Sequence, residues 1–216
     1  MVFGKIEYLN LLPFHIFMKR FLRHSSAKLA MEYYKGVPSN INKKFKSKKV
    51  DGAFISSINS KKCKKPKLGI VAKKNVNSVL VIPKNTTKKD SESETSNKLA
   101  DILKIDGEVI IGDKALRYYL YHDDYIDLAL EWYKRYNLPF VFATLCFNKE
   151  TKLTKNMQKN FYHKNSSIKI PQYLLKKASN KTDIPTKEIK NYLNLITYKL
   201  DTKSLISLDI FLKKVN

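Results

Sequence analysis

Polar side chains follow two predicted strands at the points where the strands end. In GKIEYLNLLP, Asn10 comes after a stretch that alternates apolar and polar residues, and in VIIGDKAL, Gly112 and Asp113 come after an apolar run. Ligands of open α/β sheets bind at such strand ends. The Asn10 amide offers both a donor and an acceptor to a hydroxyl or a carboxylate. A turn-forming Asn before a helix explains Asn10 equally well.

Serine residues mark a second candidate in GVPSNINKKFKSKKVDGAFISS. Ser39 stands at the start of a predicted helix, and Ser56 lies at the end of the strand that follows. The first N–H groups of a helix can bind an anion, so both hydroxyls are candidate ligand contacts. Helix capping alone also accounts for Ser39, and a polar strand end accounts for Ser56.

A third candidate is the hydroxyl cluster of DSESETSNKL. Ser93, Thr95 and Ser96 come just before an apolar-periodic helix. Free backbone N–H groups together with hydroxyls would form a cradle for a carboxylate, although an ordinary helix cap explains the same pattern. Acidic residues alternate with this cluster and argue against an anion unless they point away: Asp90, Glu92 and Glu94.

Conventional catalytic groups are scarce. None of the four histidines has HExxH or metal-ligand spacing; His15, close to Asn10 in sequence, either reaches the cleft or packs on its helix. Cys63 and Cys146 lie far apart without CxxC spacing, which predicts reduced thiols. Glycine-rich nucleotide loops and the GxSxG elbow are absent. The candidate residues therefore bind and orient a ligand.

Strand and helix patterns alternate along the first part of the chain. They are a strand at 3–8, a helix opened by Pro13, a strand at about 28–34, a helix capped by Ser39, the strand AFISS, and strands at 68–72 and 76–83. Such alternation predicts an α/β protein with a largely parallel, doubly wound sheet.

The second part has one long apolar strand among helices. After a polar loop at 84–94 we predict a helix at 95–104, the strand EVIIGD, a helix starting near Asp127, a strand at 139–147, helices at about 154–163, 171–178 and 186–194, the short ITYKL, and a helix at 202–214. Two crossings between lobes follow from this order. The larger lobe is predicted at 1–83 plus 146–216 and a smaller inserted lobe at 84–145, with a ligand cleft between them.

Composition narrows the possible partners. The 216 residues carry 42 Lys and Arg against 19 Asp and Glu, a net charge of +23. Base readout favours Arg, which occurs four times, and no nucleic-acid-binding motif is present, so we predict a lysine-biased surface and no nucleic-acid partner. No apolar run approaches the ~20 residues of a membrane span, and MVFGKIEYLN does not resemble a signal peptide, which predicts a cytoplasmic protein with no membrane partner.

The motifs occur in the order of one known family. They are GKIEYLNLLPF, GVPSNINKKFKSKKVDGAFISS, NSVLV, DSESETSNKL, VIIGDKAL, DLALEWYKRYNLPFVFA and YLNLITYKL. From about residue 3 to residue 214 the chain resembles the chorismate dehydratases of the futalosine route to menaquinone. The resemblance implies a two-lobed fold like the type II periplasmic binding proteins, with a discontinuous larger lobe and a small inserted one. It also implies a cytoplasmic lyase that removes water from chorismate to give 3-[(1-carboxyvinyl)oxy]benzoate, without a metal or an organic cofactor.

The resemblance assigns roles to the candidate residues. Asn10 and Asp113 become catalytic candidates, and the substrate-binding candidates are Ser39, Ser56, Ser93, Thr95, Ser96 and Gly112. The start of the 95–104 helix would hold one carboxylate, and Asn10 would position the leaving hydroxyl or the enolpyruvyl carboxylate. The proton goes to the substrate's own carboxylate or, alternatively, to Asp113 or His15. Oligomeric state does not follow from the motifs.

Some positions depart from the family pattern. Tyr136 and Asn137 replace its Thr-Gly, Leu145 stands where a Trp is expected, and the connection from the 95–104 helix to Gly112 is shorter. The smaller lobe is therefore expected to be trimmed. Two other functions share the fold: a non-catalytic protein that binds a small anion, and the later dihydroxynaphthoate-forming enzyme of the same pathway.

Overall fold

The computed structural model describes residues 1–23, 32–63, 66–165 and 168–215. The strands in this part of the chain are β1 (Val2–Lys5), β2 (Glu32–Lys35), β3 (Gly52–Ser56), β4 (Leu68–Ala72), β5 (Val79–Ile82), β6 (Glu108–Ile111), β7 (Ile126–Asp127), β8 (Phe140–Phe147) and β9 (Ile196–Lys199). The helices are α1 (Leu12–Arg23), α2 (Pro38–Lys46), α3 (Glu94–Leu103), α4 (Gly112–Tyr121), α5 (Leu128–Tyr136), α6 (Lys152–Lys164), α7 (Gln172–Thr182), α8 (Thr186–Leu195) and α9 (Thr202–Lys214). The first part of the strand predicted at 28–34 lies outside the described residues.

The larger sheet has six strands in the order β2-β1-β3-β8-β4-β9. β1 runs parallel to β2 and β3, whereas β8 is antiparallel to β3 and β4, and β9 is antiparallel to β4. The prediction of a largely parallel sheet is wrong. The long apolar strand β8 inserts between β3 and β4 in the opposite direction, and an apolar run alone does not specify its pairing partners.

The smaller sheet is antiparallel, with β5 between β6 and β7. The chain enters it after β4 and leaves it through α5 into β8. The segment that enters is fixed by the buried carboxylate of Asp127. One of its oxygens accepts hydrogen bonds from the backbone N–H groups of Val76 (2.8 Å) and Asn77 (2.6 Å), and the other accepts from Ala129 and Leu130 at the start of α5. The predicted lobe boundaries stay predictions.

Apolar runs form the strands that carry the site. Every residue of β3 and β4 is buried, as expected for central strands covered on both faces. Helix α1 packs against this sheet through Phe14, whose ring lies 5.0 Å from those of Phe54 and Phe161. This packing fixes the end of β1 relative to β3. Among the described residues no helix is long and apolar enough to cross a membrane.

Three local predictions are wrong. Ser39 is not the cap of α2: Val37 takes that position and Pro38 occupies the first turn, a position that proline favours. Helix α4 was not expected because it begins at Gly112, which follows β6 directly, and it has few buried residues. Cys63 and Cys146 are not reduced thiols but form a disulfide with Cα atoms 5.5 Å apart, since the turn after β3 returns the chain over β8.

Candidate functional site

Two cavities meet at the side chain of Tyr8. The larger, about 580 Å³, lies between α1, β1, β2 and α7 and has mostly apolar walls with lysines at its rim. The smaller, about 70 Å³, lies where the ends of β1 and β3 face the starts of α3 and α4. Five of the eight predicted site residues line the smaller one: Asn10, Ser56, Ser93, Ser96 and Gly112. We therefore identify the smaller cavity as the candidate site.

Asn10 carries a buried polar atom that no side chain or backbone group of the described residues satisfies. It lies in the single 3-10 turn Leu9–Leu11 between β1 and α1. Its side-chain oxygen Oδ1 is buried and has no hydrogen-bond partner among the described residues, whereas buried polar atoms are nearly always hydrogen-bonded. Its backbone carbonyl accepts a 2.7 Å hydrogen bond from the Tyr198 hydroxyl. The turn is thus held in place while one amide oxygen remains available to a ligand.

The start of α3 supplies two hydroxyls to the same cavity. Ser93 is the N-cap residue, and its Oγ accepts from the Ser96 N–H at 3.2 Å and lies 2.8 Å from the Ser96 hydroxyl. Both serines are buried. Thr95 lies outside the cavity lining, and its hydroxyl oxygen accepts from the Ile58 N–H at 3.2 Å. The helix start and two of the three predicted hydroxyls therefore face the site.

The acidic residues of this segment are engaged elsewhere. Asp90 forms an ion pair with Lys114, and the Glu94 carboxylate accepts from the Asn59 amide at 3.1 Å. Glu92 accepts a hydrogen bond from the Tyr8 hydroxyl. None of these three carboxylates lines the small cavity as described. Their presence in the sequence is thus no obstacle to an anion beside Ser93.

Ser56 is held at the end of β3 by Asn42 of α2. The Asn42 amide nitrogen donates to the Ser56 hydroxyl at 2.8 Å, and its oxygen accepts from the Ser56 N–H at 3.1 Å. Ser39 does not line the cavity, unlike its neighbour Pro38. The Ser39 N–H donates to the Glu92 carbonyl at 3.2 Å, so Ser39 joins α2 to the segment before α3.

Gly112 brings the start of α4 against Tyr8. Its φ of +68° lies in the left-handed region, and a Cβ atom there would be 3.0 Å from the Tyr8 ring. Its N–H donates to the Ser78 carbonyl at 2.8 Å. Burial raises the pKa of the Tyr8 phenol well above its ordinary value, and the hydrogen bond to Glu92 adds to this. Tyr8 thus remains a protonated donor and forms the wall between the two cavities.

Asp113 and His15 line the larger cavity, so the structure does not bring the two predicted catalytic residues, Asn10 and Asp113, into one cavity. The Asp113 carboxylate accepts from the Leu9 N–H at 3.1 Å, and burial raises its pKa. His15 lies with Nε2 2.8 Å from the Ile6 carbonyl, and burial lowers its pKa to about 4. Both side chains therefore contact the backbone next to Asn10 from the side of the larger cavity.

Sequence reasoning missed Ser78 and Tyr192. Ser78 precedes β5 and lines the small cavity, and its hydroxyl lies 3.0 Å from that of the buried Tyr192 on α8. Both residues fall inside motifs for which the sequence predicts only a strand or a helix, NSVLV and YLNLITYKL. The signal in the sequence was Ser78 itself, a polar residue within the apolar run that leads from one predicted lobe to the other.

The structure contains no cluster of three or more His, Cys, Asp or Glu side chains that could hold a metal ion, within the ranges that it describes.

The fold places the chain among proteins of periplasmic-binding-protein architecture. It resembles a crystal structure of a protein from Archaeoglobus fulgidus, with a TM-score of 0.69, 10% identity, and coverage of 99% of this chain and 96% of that one. It also resembles the periplasmic aliphatic sulphonate binding protein of Escherichia coli, with a TM-score of 0.57, 11% identity, and coverage of 100% and 87%. At such identities the likeness shows the fold alone, and the predicted fold class is confirmed.

Sequence comparison identifies the family. A family model described as menaquinone biosynthesis matches residues 1–104 and 94–216. A chorismate dehydratase from Campylobacter jejuni is 45% identical over 217 residues, which span 99% of this chain and 96% of that protein. The chain belongs to the menaquinone biosynthesis family.

Proposed function

We propose that the protein is a chorismate dehydratase, a carbon–oxygen lyase that converts chorismate to 3-[(1-carboxyvinyl)oxy]benzoate and water. It acts in the cytoplasm, in the futalosine route to menaquinone. One observation carries the proposal: the 45% identity to a chorismate dehydratase extends over almost the entire chain. The motifs that carried the resemblance are also the ones that contribute most of the small cavity.

The reaction suits a site built of amides and hydroxyls. Loss of the ring hydroxyl and the hydrogen on the neighbouring ring carbon makes the ring aromatic, which drives the elimination. The enzyme then has to orient the dianionic substrate and stabilise the departing hydroxide, and correct orientation alone contributes much of the rate. The cavity offers hydroxyl and amide groups for both tasks.

The proposal includes specific contacts between the substrate and the cavity residues. The unpartnered Asn10 Oδ1 accepts a hydrogen bond from the ring hydroxyl. This contact orients the C–O bond that breaks in the elimination. Ser93 and Ser96, at the positive end of α3, hold one carboxylate. Ser56 and the Gly112 backbone contact the rest of the ring substituents. Ser39 and Thr95 do not contact the substrate. They position the site indirectly, because their hydrogen bonds join the elements around the cavity.

The substrate supplies its own base. Tyr8 is the only titratable side chain among the described residues that line the small cavity, and its raised pKa keeps it protonated. Asp113 and His15 lie in the larger cavity. The remaining basic group is the second substrate carboxylate. It takes the ring proton as the C–O bond breaks, the C–H electron pair forms the new ring double bond, and the proton then passes to the departing hydroxide to give water.

Substrate binding requires the site to open. The cavity of about 70 Å³ is well below the ~300 Å³ of small-ligand pockets. The Tyr8 side chain separates it from the much larger neighbouring space, held by its hydrogen bond to Glu92. Separation of the two sheets admits chorismate while Tyr8 still divides the site from Asp113 and His15, and closure then excludes water.

Incubation of the purified protein with chorismate tests the function. The expected result is loss of chorismate and formation of the aromatic product, followed by absorbance and identified by mass. Binding of chorismate without turnover would instead indicate a non-catalytic binding protein, and turnover of a cyclic futalosine alone would indicate the later enzyme of the pathway.

A set of variants tests the choice of base. Turnover of chorismate is compared for Asn10→Ala, Asp113→Asn and His15→Ala, with binding measured in parallel. We expect Asn10→Ala to lose turnover and the other two to retain it. Loss of turnover with retained binding in Asp113→Asn or His15→Ala would contradict the substrate-assisted step.

A further inference from the structure

The two hydrogen bonds between Asn42 and Ser56 have a direction that the structure fixes. The Ser56 backbone N–H donates to Asn42 Oδ1 at 3.1 Å, and Asn42 Nδ2 donates to the Ser56 hydroxyl oxygen at 2.8 Å. A backbone N–H can only donate, so the oxygen end of the amide has to face it and the nitrogen end then faces the hydroxyl. The Ser56 hydroxyl is therefore the acceptor in this contact.

The packing of α2 places Asn42 at the end of β3. Strand β1 pairs with β3 through Gly52 and Ala53, so Ser56 lies beyond the last residue paired with β1, and Asn42 supplies the acceptor for its N–H. Ile41, the residue before Asn42, is buried, and its side chain packs so closely on β1 that a Cβ atom added to Gly4 would lie 2.8 Å from it. This packing holds Asn42 in a fixed position beside the strand end.

The proton of the Ser56 hydroxyl remains available to a ligand. Ser56 is 6% exposed and lines the small cavity, and no described residue accepts a hydrogen bond from its hydroxyl, which is engaged only as the acceptor from Asn42. A buried donor without an acceptor is costly, and an oxygen atom of a bound ligand would satisfy it. Asn10 Oδ1 is the reverse case, a buried acceptor without a donor in the same cavity.

We propose that Asn42 is a positioning residue: by donating to the Ser56 oxygen it leaves the Ser56 hydroxyl as a donor into the cavity, where it holds an acceptor oxygen of the substrate. In naming a substrate, the inference rests on the proposed function. Asn42 does not line the cavity and does not touch the substrate. The cavity then offers an acceptor at Asn10 and a donor at Ser56, which matches a substrate that carries both a ring hydroxyl and carboxylate oxygens.

Asn42→Asp tests this role because it reverses the direction of one hydrogen bond. A carboxylate has nearly the shape of the amide but only acceptor oxygens, so it keeps the bond from the Ser56 N–H and draws the Ser56 proton away from the cavity. The kcat/KM for chorismate should fall about tenfold to a hundredfold, the range for loss of one hydrogen bond to a charged group. Ser56→Ala removes the same donor and should give a similar loss.

A double-mutant cycle separates this effect from that of the added charge. If Asn42→Asp acts through the Ser56 hydroxyl, the variant that also carries Ser56→Ala is no slower than Ser56→Ala alone. Multiplicative losses would mean that the new charge itself weakens substrate binding, and they would overturn the inference. Asn40→Asp is the matched control, because it adds the same charge at an exposed position of the same helix, and it should retain the kcat/KM of the wild type.

A substrate-free measurement keeps the inference distinguishable from the proposed function and also serves where Asn42→Asp folds poorly. In an amide nitrogen–proton correlation spectrum, the Asn42 side-chain signals are assigned through the Asn42 backbone. They should shift in Ser56→Ala, which removes their acceptor, while the Asn40 side-chain signals stay in place. Unmoved Asn42 signals would overturn the inference even in an active enzyme. A wild type that leaves chorismate unchanged would refute the proposed function, while the shift still decides whether Asn42 donates to Ser56.

Discussion

Substitution of Gly112 by alanine tests whether the contact between Tyr8 and the start of α4 shapes the site. Gly112 has a φ of +68°, and an added Cβ would lie 3.0 Å from the Tyr8 ring. The left-handed backbone costs a non-glycine residue about 1–2 kcal/mol. Crowding against Tyr8, whose hydroxyl is bonded to Glu92, adds about 1–2 kcal/mol.

The expected loss in the free energy of unfolding is therefore about 2–4 kcal/mol, or roughly 4–16 °C in Tm for a chain of this size. Chorismate turnover should fall as well, because the displaced Tyr8 ring has to move into one of the two cavities. Denaturant unfolding and turnover are both measured on Gly112→Ala.

Gly36→Ala is the control for this variant. Its φ lies outside the left-handed region, and the nearest atom to an added Cβ is the end of the Ile41 side chain at 3.3 Å. It should change the unfolding free energy by less than about 1 kcal/mol and leave turnover intact. Equal effects of the two substitutions would refute the argument from the backbone and from Tyr8.

Three further predictions concern charge and catalysis. Asp127→Asn replaces a carboxylate that accepts four backbone hydrogen bonds and should lower the unfolding free energy by about 1–3 kcal/mol; denaturant unfolding checks this, and an unchanged midpoint would contradict it. Hydrogen bonds from Lys5 and Lys181 outweigh burial and lower the pKa of Glu7 to about 2 from 4.5, so its contribution to stability is present above about pH 4.5 and is lost as the pH falls towards 2. Glu7→Gln should make thermal stability less dependent on pH in that window, and an unaltered pH profile would rule this out. Asn10→Ala should lower kcat about a hundredfold or more with little change in Tm, as measured by steady-state kinetics and thermal unfolding; retention of wild-type kcat would remove Asn10 from the mechanism.

Strong local patterns predicted many elements correctly. The strand at 68–72 and the helix at 202–214 have the bounds predicted from sequence, because a continuous apolar run and a clear helical period each leave little choice. Ser93 caps α3, as its position before a periodic helix indicated. Apolar runs, helical periods and helix caps depend only on residues that are close together in the chain, so a single sequence is enough to predict them.

Long-range pairings could not be predicted in the same way. The insertion of β8 between β3 and β4 depends on which apolar strands meet, and any of them could pair. The disulfide joins cysteines 83 residues apart, and the Ser78–Tyr192 contact joins residues 114 apart. Spacing along the chain carries no information about such contacts.

The candidate site was likewise predictable only where it depends on local sequence patterns. Strand ends and helix starts located Asn10, Ser56, Ser93, Ser96 and Gly112 around one cavity. The same reasoning placed Asp113 beside Asn10, but consecutive residues at a helix start point in different directions. The side chain of Asp113 therefore turns to the Leu9 N–H and the larger cavity.

The central claim is that this cavity dehydrates chorismate without a base from the protein, and turnover by Asp113→Asn and His15→Ala beside the wild type tests it most directly. The account predicts that all three proteins convert chorismate to an aromatic product lighter by one water, even where loss of a side chain that supports the turn around Asn10 lowers kcat. A wild type that leaves chorismate unchanged would contradict the function. A wild type that is active while either variant is inactive, with chorismate still bound, would contradict the mechanism.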